Sequence, residues 1–263
     1  MSELVLIEID GGVAQVRLNR PEKHNALSTA MFEAINRAGE SLRDNKTVRA
    51  VVMSGNGPSF CSGLDVGGAA FNPASLKEAM AAKDGPANQF QKPGWIWREL
   101  PMPVIAAVHG ACFGGGLQVA LGADVRLARP DARLSVMEVQ LGLIPDMSGS
   151  ATLRDLVRYD VAVELALTGK IVSGAEAAQI GLVTRTAEDP LTEALALARE
   201  IAGRNPHAVR AGKELLRFNW RAPVDEVLRR EAELQMKLIG SPNQMEALMA
   251  RMQKRPAKFK DVE

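Results

Sequence analysis

The stretch that most restricts the fold is PVIAAVHGACFGGGLQVALGAD, residues 103–124. PVIAAVHG is a short, β-branched apolar run of the kind that makes a buried strand. Three glycines follow, Gly114 to Gly116, and then a stretch with helical spacing. A chain that passes from buried strand through glycine into helix belongs to an α/β architecture. Two uses of the glycines stand open here. They can let a helix start pack closely on a strand. They can also bare a helix N-terminus for an anion, because its first N–H groups have no intrahelical partner and lie at the positive end of the dipole. Gln118 comes two residues later, as a polar side chain on a helix face or as a substrate contact.

The rest of the pattern agrees. LVLIEID and VAQVRL flank Asp10-Gly11-Gly12 and predict a hairpin. Ser28 can cap a helix in which Met31, Ile35, Ala38 and Leu42 share one face. VRAVVMSG (48–55) reads as a buried strand leading into the loop GNGPSFCSGLD, and VRLAR as another strand. Residues 68–94 are broken by GG, NP, DGP and KPG and read as a loose segment with a short helix. LSVMEVQLGLIPDMSGS (134–150) is irregular, and helical pattern follows to about Leu167. Ser173 and Glu176 form a capping box. Pro190, Pro206, Pro223 and Pro242 stand near helix starts, and roughly the last 70 residues read as helical throughout. The expected organisation is an α/β core over residues 1–190 and a helical region over 191–263, with no internal sequence repeat.

Composition removes several function classes. The 263 residues can bury a sizeable core. A net charge of +1 gives no electrostatic case for nucleic acid or an anionic membrane. No apolar run reaches the ~18 residues that span a bilayer. The start MSELVLIEID, with Glu3 and no basic region, does not read as a signal peptide. Cys61 and Cys112 suit two reduced thiols in a cytoplasmic protein better than a disulfide framework. His24, His109 and His207 lack metal-ligand spacing, so no metal is expected.

Familiar glycine-rich motifs fail. Val119 breaks G-x-G-x-x-G, Ile171 after Gly169-Lys170 breaks a Walker A loop, and no G-x-S-x-G occurs. FCSGLD offers a second exposed N–H, at Leu64, after a strand. Two such groups from two strand ends can converge on one oxygen as an oxyanion hole, stabilising the charge that forms when a thioester carbonyl becomes an enolate.

NRPEKHNAL, SFCSGLDV, PVIAAVHGACFGGGLQVALGADVRLA and LSVMEVQLGLIPDMSG resemble the enoyl-CoA hydratase/isomerase family, the crotonases, over essentially the whole chain. The resemblance implies a spiral of ββα units with a C-terminal helical trimerisation region, assembled as a homotrimer or a hexamer. It implies an acyl-CoA thioester substrate and no separate cofactor, since coenzyme A is part of the substrate. The N–H groups of Leu64 and Gly115 would hold the thioester oxygen. Leu64, Asp65, Val66 and Gly67 would line the CoA arm. Lys23, His24 and Ala26 would touch its nucleotide end, and Phe259 would close over adenine, frequently that of a neighbouring subunit. Hydratases of the family carry two glutamates. Glu138 matches one; Gln118 stands at the other. Asp146, eight residues after Glu138, matches the second acid of dienoyl-CoA isomerases, which also carry Asp at the Gln118 position.

Three functions follow from those residues. One is hydratase/isomerase chemistry through an enolate, with Glu138 as acid/base. Another is double-bond isomerisation by Glu138 and Asp146 without hydration. The third is a weakly or non-catalytic CoA-binding subunit, which the Gln118 amide keeps open. Plainer roles stand beside these. Glu138 can pair with an arginine, Asp146 can cap a helix over MSGSATL, and Asp65 can form a turn. Asp124 can be structural, Cys61 a buried thiol, and His109 a core histidine. Trp95 and Trp97 can cover an acyl pocket or pack within a surface segment. Met236, Met245, Met249 and Met252 suit core or subunit interface. The basic residues at 251–260 suit a solvated helix face or a contact to CoA phosphates.

Overall fold

The computed structural model describes residues 3–66, 77, 80–81, 85–219 and 222–262. The hairpin forms as expected, with β1 (Val5–Asp10) antiparallel to β2 (Val13–Leu18) and Val5 opposite Leu18. From β2 onward the sheet is parallel. β2 pairs with β3 (Ala50–Gly55), β3 with β4 (Val104–Val108), β4 with β6 (Val125–Ala128), and β6 with the short β9 (Arg185–Thr186). A second sheet, in the order β5-β7-β8, joins Ala111–Phe113, Arg133–Ser135 and Val172–Ser173. Its strands are too short to show a period, which is why the sequence reading assigns no strand there.

The described helices are α1 (Thr29–Arg43), α2 (Lys92–Glu99), α3 (Gly115–Leu121), α4 (Gly149–Leu153), α5 (Tyr159–Thr168), α6 (Gly174–Gln179), α7 (Pro190–Ala202), α8 (Pro206–Asn219), α9 (Val224–Leu238) and α10 (Pro242–Met252). The Ser28 hydroxyl accepts the Met31 N–H, and the Ser173–Glu176 capping box is complete.

Strand alternation divides the core. Val51 and Met53 of β3 point to one side, where Met31, Ile35, Ala38 and Leu42 of α1 meet them. Val52, with Ile105 and Ala107 of β4, points to the other, where Ala194, Ala198 and Ala202 of α7 cover them. A strand buried on both faces needs an unbroken apolar run, and VIAAV of β4 is one.

The helical region stops at Met252, short of the expected end. The segment beyond is tied down: Arg49 Nη2 donates to the Phe259 carbonyl (2.9 Å) and pairs with Asp261 (2.8 Å). The Asn243 side chain bonds both the Lys260 carbonyl and its N–H. Met236, Met245, Met249 and Met252 are exposed in the chain, so they are not core. Trp97 is fully buried, and Trp95 donates to Glu99. Most of residues 68–94 lies outside the described residues, and the only helix fully described there, α2, begins at Lys92. Among the described residues no helix is long and apolar enough to cross a membrane.

Candidate active site

Two loops leave the carboxyl ends of neighbouring parallel strands and run side by side. After β3 the chain returns so that Phe60 N–H bonds the His109 carbonyl and Cys61 N–H that of Ala111. Phe113 N–H bonds Cys61 in return, and Cys61 pairs with Cys112 as an isolated bridge. Two residues on from this bridge lie Gly63-Leu64 and Gly114-Gly115. Gly63, at φ +91°, is so close to the second loop that a Cβ there would stand 2.8 Å from the Phe113 carbonyl oxygen and 3.9 Å from the Gly115 nitrogen. The N–H groups of Leu64 and Gly115 donate to no described residue. Gly115 opens α3, where no intrahelical acceptor exists.

A third segment splices onto the first. Ser62 N–H bonds the His24 carbonyl, Leu27 N–H that of Gly63, and Asp65 N–H that of Leu27. Lys23, His24 and Ala26 therefore lie along 62–65; Lys23 and His24 are exposed and Ala26 is buried. His24 takes a left-handed conformation and its Nδ1 lies 2.9 Å from Ser59 Oγ. Asp65 is more than a turn-former, since it pairs with Arg20 at 2.7 Å. Val66 is exposed and lines the cavity described below; Gly67 lies outside the described residues.

Each of the three glycines has its own reason. Gly114 sits at φ +49°, and a Cβ would press on Glu138 Oε1 at 3.3 Å. A Cβ on Gly115 would meet the Met147 sulfur at 2.6 Å, and one on Gly116 the Cys61 carbonyl oxygen at 2.5 Å. Close packing and a bare helix start are thus both present, on different residues.

Beside this loop pair lies a cavity of about 450 Å³. Phe32, Leu64, Phe90, Met137, Leu143 and Met147 supply much of its apolar wall. Glu138 and Asp146 also line it. Glu138 opens a 3-10 turn (Glu138–Leu141), is buried, and pairs with no arginine among the described residues. Its Oε1 accepts from Gln118 Nε2 at 2.5 Å, and its Oε2 is buried without a hydrogen-bond partner among the described residues. Burial raises the Glu138 carboxyl above the ordinary range, and the negative charge of Asp146 adds to this; the Gln118 bond opposes it. Burial also raises Asp146. Asp146 does not cap a helix: Ser148, at φ +72°, precedes α4, and no side chain caps it.

Gln118 is 1% exposed, so it is not a surface residue. Its Oε1 accepts the N–H groups of Met147 (2.8 Å) and Gly149 (2.7 Å), while its amide nitrogen donates to Glu138. Cys61 is fully buried and its thiol is pushed up to about 12 by desolvation, as fits a buried structural thiol. Asp124 is structural, accepting Val104 N–H and pairing with Lys213. His109 is half-buried and bonds the Gly57 carbonyl. Neither Trp95 nor Trp97 lines the cavity. Phe259 is held near Arg49, which precedes β3, and so lies at the end of the parallel strands away from the cavity of its own chain.

Asn25 is the residue that sequence reading missed. It is fully buried in a left-handed conformation (φ +57°). Its amide donates to the carbonyls of Asn56, Ser59 and Phe60 and its oxygen accepts Arg20 N–H, joining the 20–26 loop to the segment after β3. Asparagine's tolerance of positive φ was the available signal. Among the described residues, no three His, Cys, Asp or Glu side chains gather as a metal site.

The enoyl-CoA hydratase/isomerase family model matches residues 8–262. The chain belongs to that family. It is 31% identical to the peroxisomal Δ(3,5)-Δ(2,4)-dienoyl-CoA isomerase of Arabidopsis thaliana, over 98% of this chain and 96% of that one. It is 32% identical to an enoyl-CoA hydratase of Mycobacterium tuberculosis, over 97% and 96%. The crystal structure of an enoyl-CoA hydratase from Bacillus anthracis superposes with a TM-score of 0.90 at 28% identity, covering 98% and 99% of the two chains. The fold is the crotonase fold, and the chain is an enzyme of the hydratase/isomerase type. Relatives with the two named activities are equally similar, so overall similarity does not divide them.

Proposed function

We propose that this crotonase-family enzyme moves a double bond within an acyl-CoA thioester and does not hydrate it. The observation that carries this is the amide at Gln118. Syn hydration needs one group to orient and deprotonate water and another to supply the proton at Cα. The Gln118 oxygen already accepts two backbone N–H groups and its nitrogen is a donor, so it takes no proton from water. Isomerisation needs only removal of a proton at one carbon and its return at another.

The acyl chain lies in the apolar cavity and the thioester oxygen meets the N–H groups of Leu64 and Gly115. Glu138 takes a proton from the α carbon of a 3-enoyl thioester. The C–H electron pair passes into the thioester, and the charge settles on its oxygen as a dienolate. The two N–H groups, which donate to no described residue, would hold that oxygen, where each is worth roughly 3 kcal/mol of barrier. The proton returns at the γ carbon, delivered by Glu138 or by Asp146, and a 2-enoyl thioester results. The raised Glu138 suits this work, since a base nearer neutrality both takes and returns a proton. The steps call for no metal and no cofactor beyond the coenzyme A of the substrate. The exposed methionines of α9 and α10 would be covered in a homotrimer, within which a neighbour's Phe259 can reach a CoA.

A panel of crotonyl-CoA, 3-enoyl-CoA and 3,5-dienoyl-CoA tests the reading. Turnover of either isomerisation substrate with no hydration of crotonyl-CoA is expected. Hydration at a comparable rate, or no acyl-CoA binding by calorimetry, overturns it.

A further inference from the structure

We propose that Gln118 is a positioning residue which directs the transferable proton to Glu138 Oε2 and holds the Met147–Gly149 turn, next to Asp146, in register with it. The inference rests on the proton-transfer reading above. The direction of the Gln118 amide is decided by its neighbours. Met147 and Gly149 both present N–H groups, 2.8 and 2.7 Å from one end of it, and only an oxygen accepts two donors. The other end is therefore the nitrogen, which donates to Glu138 Oε1 at 2.5 Å.

That direction has a consequence for Glu138. The amide hydrogen already occupies one lone pair of Oε1, and a carboxyl oxygen that carries its own proton is the weaker acceptor, so Oε1 favours the acceptor role in both charge states. The carboxyl therefore gains or loses its proton preferentially at Oε2, the buried oxygen with no described partner. A carboxylate oxygen left bare in this way is destabilising, which is tolerated where the empty position has a use.

The same amide oxygen braces a strained turn. Ser148 has φ +72°, and the two N–H groups that flank it both end on Gln118. The packing leaves no slack: a Cβ on Gly149 would lie 2.6 Å from Gln118 Oε1, and one on Gly94 would lie 2.3 Å from the Met147 carbonyl. One side chain thus links the segment carrying Glu138 to the turn that follows Asp146. Among the described residues, the ionisable groups that share the cavity with Glu138 are Asp146 and Lys77. Neither α3 nor α4 carries one.

The test compares wild type, Q118L and Q118E with trans-3-hexenoyl-CoA, as pH profiles of kcat and KM. Q118L is expected to lose roughly 100-fold in kcat with little change in KM. Its acid limb moves to higher pH, because the donor that favours the Glu138 anion is gone. Q118E keeps the volume and the acceptor, and in its protonated form it also donates to Glu138. It therefore recovers kcat within a limited pH window, giving a bell-shaped profile, and stands in if Q118L does not fold. Carboxyl-detected NMR titration of Glu138 reads the same displacement without turnover, so a failed lock is distinguished from a wrong reaction. An unchanged Glu138 titration in Q118L, or an effect on KM alone, overturns the proposal. E138Q retaining full activity overturns the underlying reading instead.

Discussion

Gly116 lies flat on Cys61, with 2.5 Å between the position a Cβ would take and the Cys61 carbonyl oxygen. The obstacle is backbone and cannot turn aside. The neighbouring Gly115 faces the ends of two flexible side chains, Met147 and Leu27. The two glycines should therefore fail differently. G116A is expected to cost about 1–3 kcal/mol in urea unfolding. G115A should unfold nearly as wild type yet lose about 100-fold in kcat/KM, because in the proposed mechanism the shifted N–H would no longer meet the thioester oxygen.

Glu138 carries a stability cost along with its chemistry. Its carboxyl is raised in the folded state, chiefly by burial. Between the unfolded and folded pKa values the native protein binds more protons than the unfolded chain, so stability falls as pH rises through that window and stays lower above it. E138Q has no charge to bury. It should melt at a higher temperature than wild type at pH 8, the gain disappearing below the ordinary carboxylate range, while kcat falls by roughly 100- to 10,000-fold. Calorimetry across pH checks the first part. A constant difference in melting temperature at every pH would contradict it.

Arg20 and Asp65 join two loops that arrive from different strands, and Arg20 also donates to the Ala26 carbonyl. The pair is half-buried, so it is screened less than a surface ion pair. D65A should cost about 1–2 kcal/mol and lower kcat/KM, since Asp65 directly follows Leu64. A cycle with R20M and the double variant isolates the pair. Additive effects on kcat/KM would show that the two do not act together.

Asn25 satisfies three carbonyls and one N–H inside the protein. N25A leaves them buried and unpaired, and it also removes a residue suited to positive φ. A loss of about 2–4 kcal/mol in urea unfolding is expected. N25D should recover little of it, because a carboxylate cannot donate to the three carbonyls.

Some of this protein is legible in its residues alone. The hairpin, the capped helix at Ser28, the central strands and the box at Ser173 all depend on neighbours in the chain, and local pattern records such neighbours. The family was legible too, from pieces that run through most of the chain. The strands of the small sheet were not, because two or three residues hold no period. Nor was Asp146: its position suits a cap, yet the turn is held by Gln118 and the helix begins at Gly149.

Sequence also located Leu64, Gly115, Gln118, Glu138 and Asp146 as the residues worth asking about. Tertiary structure alone decided how they are arranged. Twenty residues separate Gln118 from Glu138, and 52 separate Gly63 from Gly115. No rule of spacing says that the first pair share a hydrogen bond or that the second nearly touch. The second contact exists because β3 and β4 lie side by side and the loops beyond them pair; the first exists because β5, which leads into α3, pairs with β7, which leads into Glu138. Hydrogen-bond direction depends on which donors and acceptors meet in space. Packing made the Gln118 amide an acceptor toward one loop and a donor toward Glu138, and so set which oxygen a proton favours.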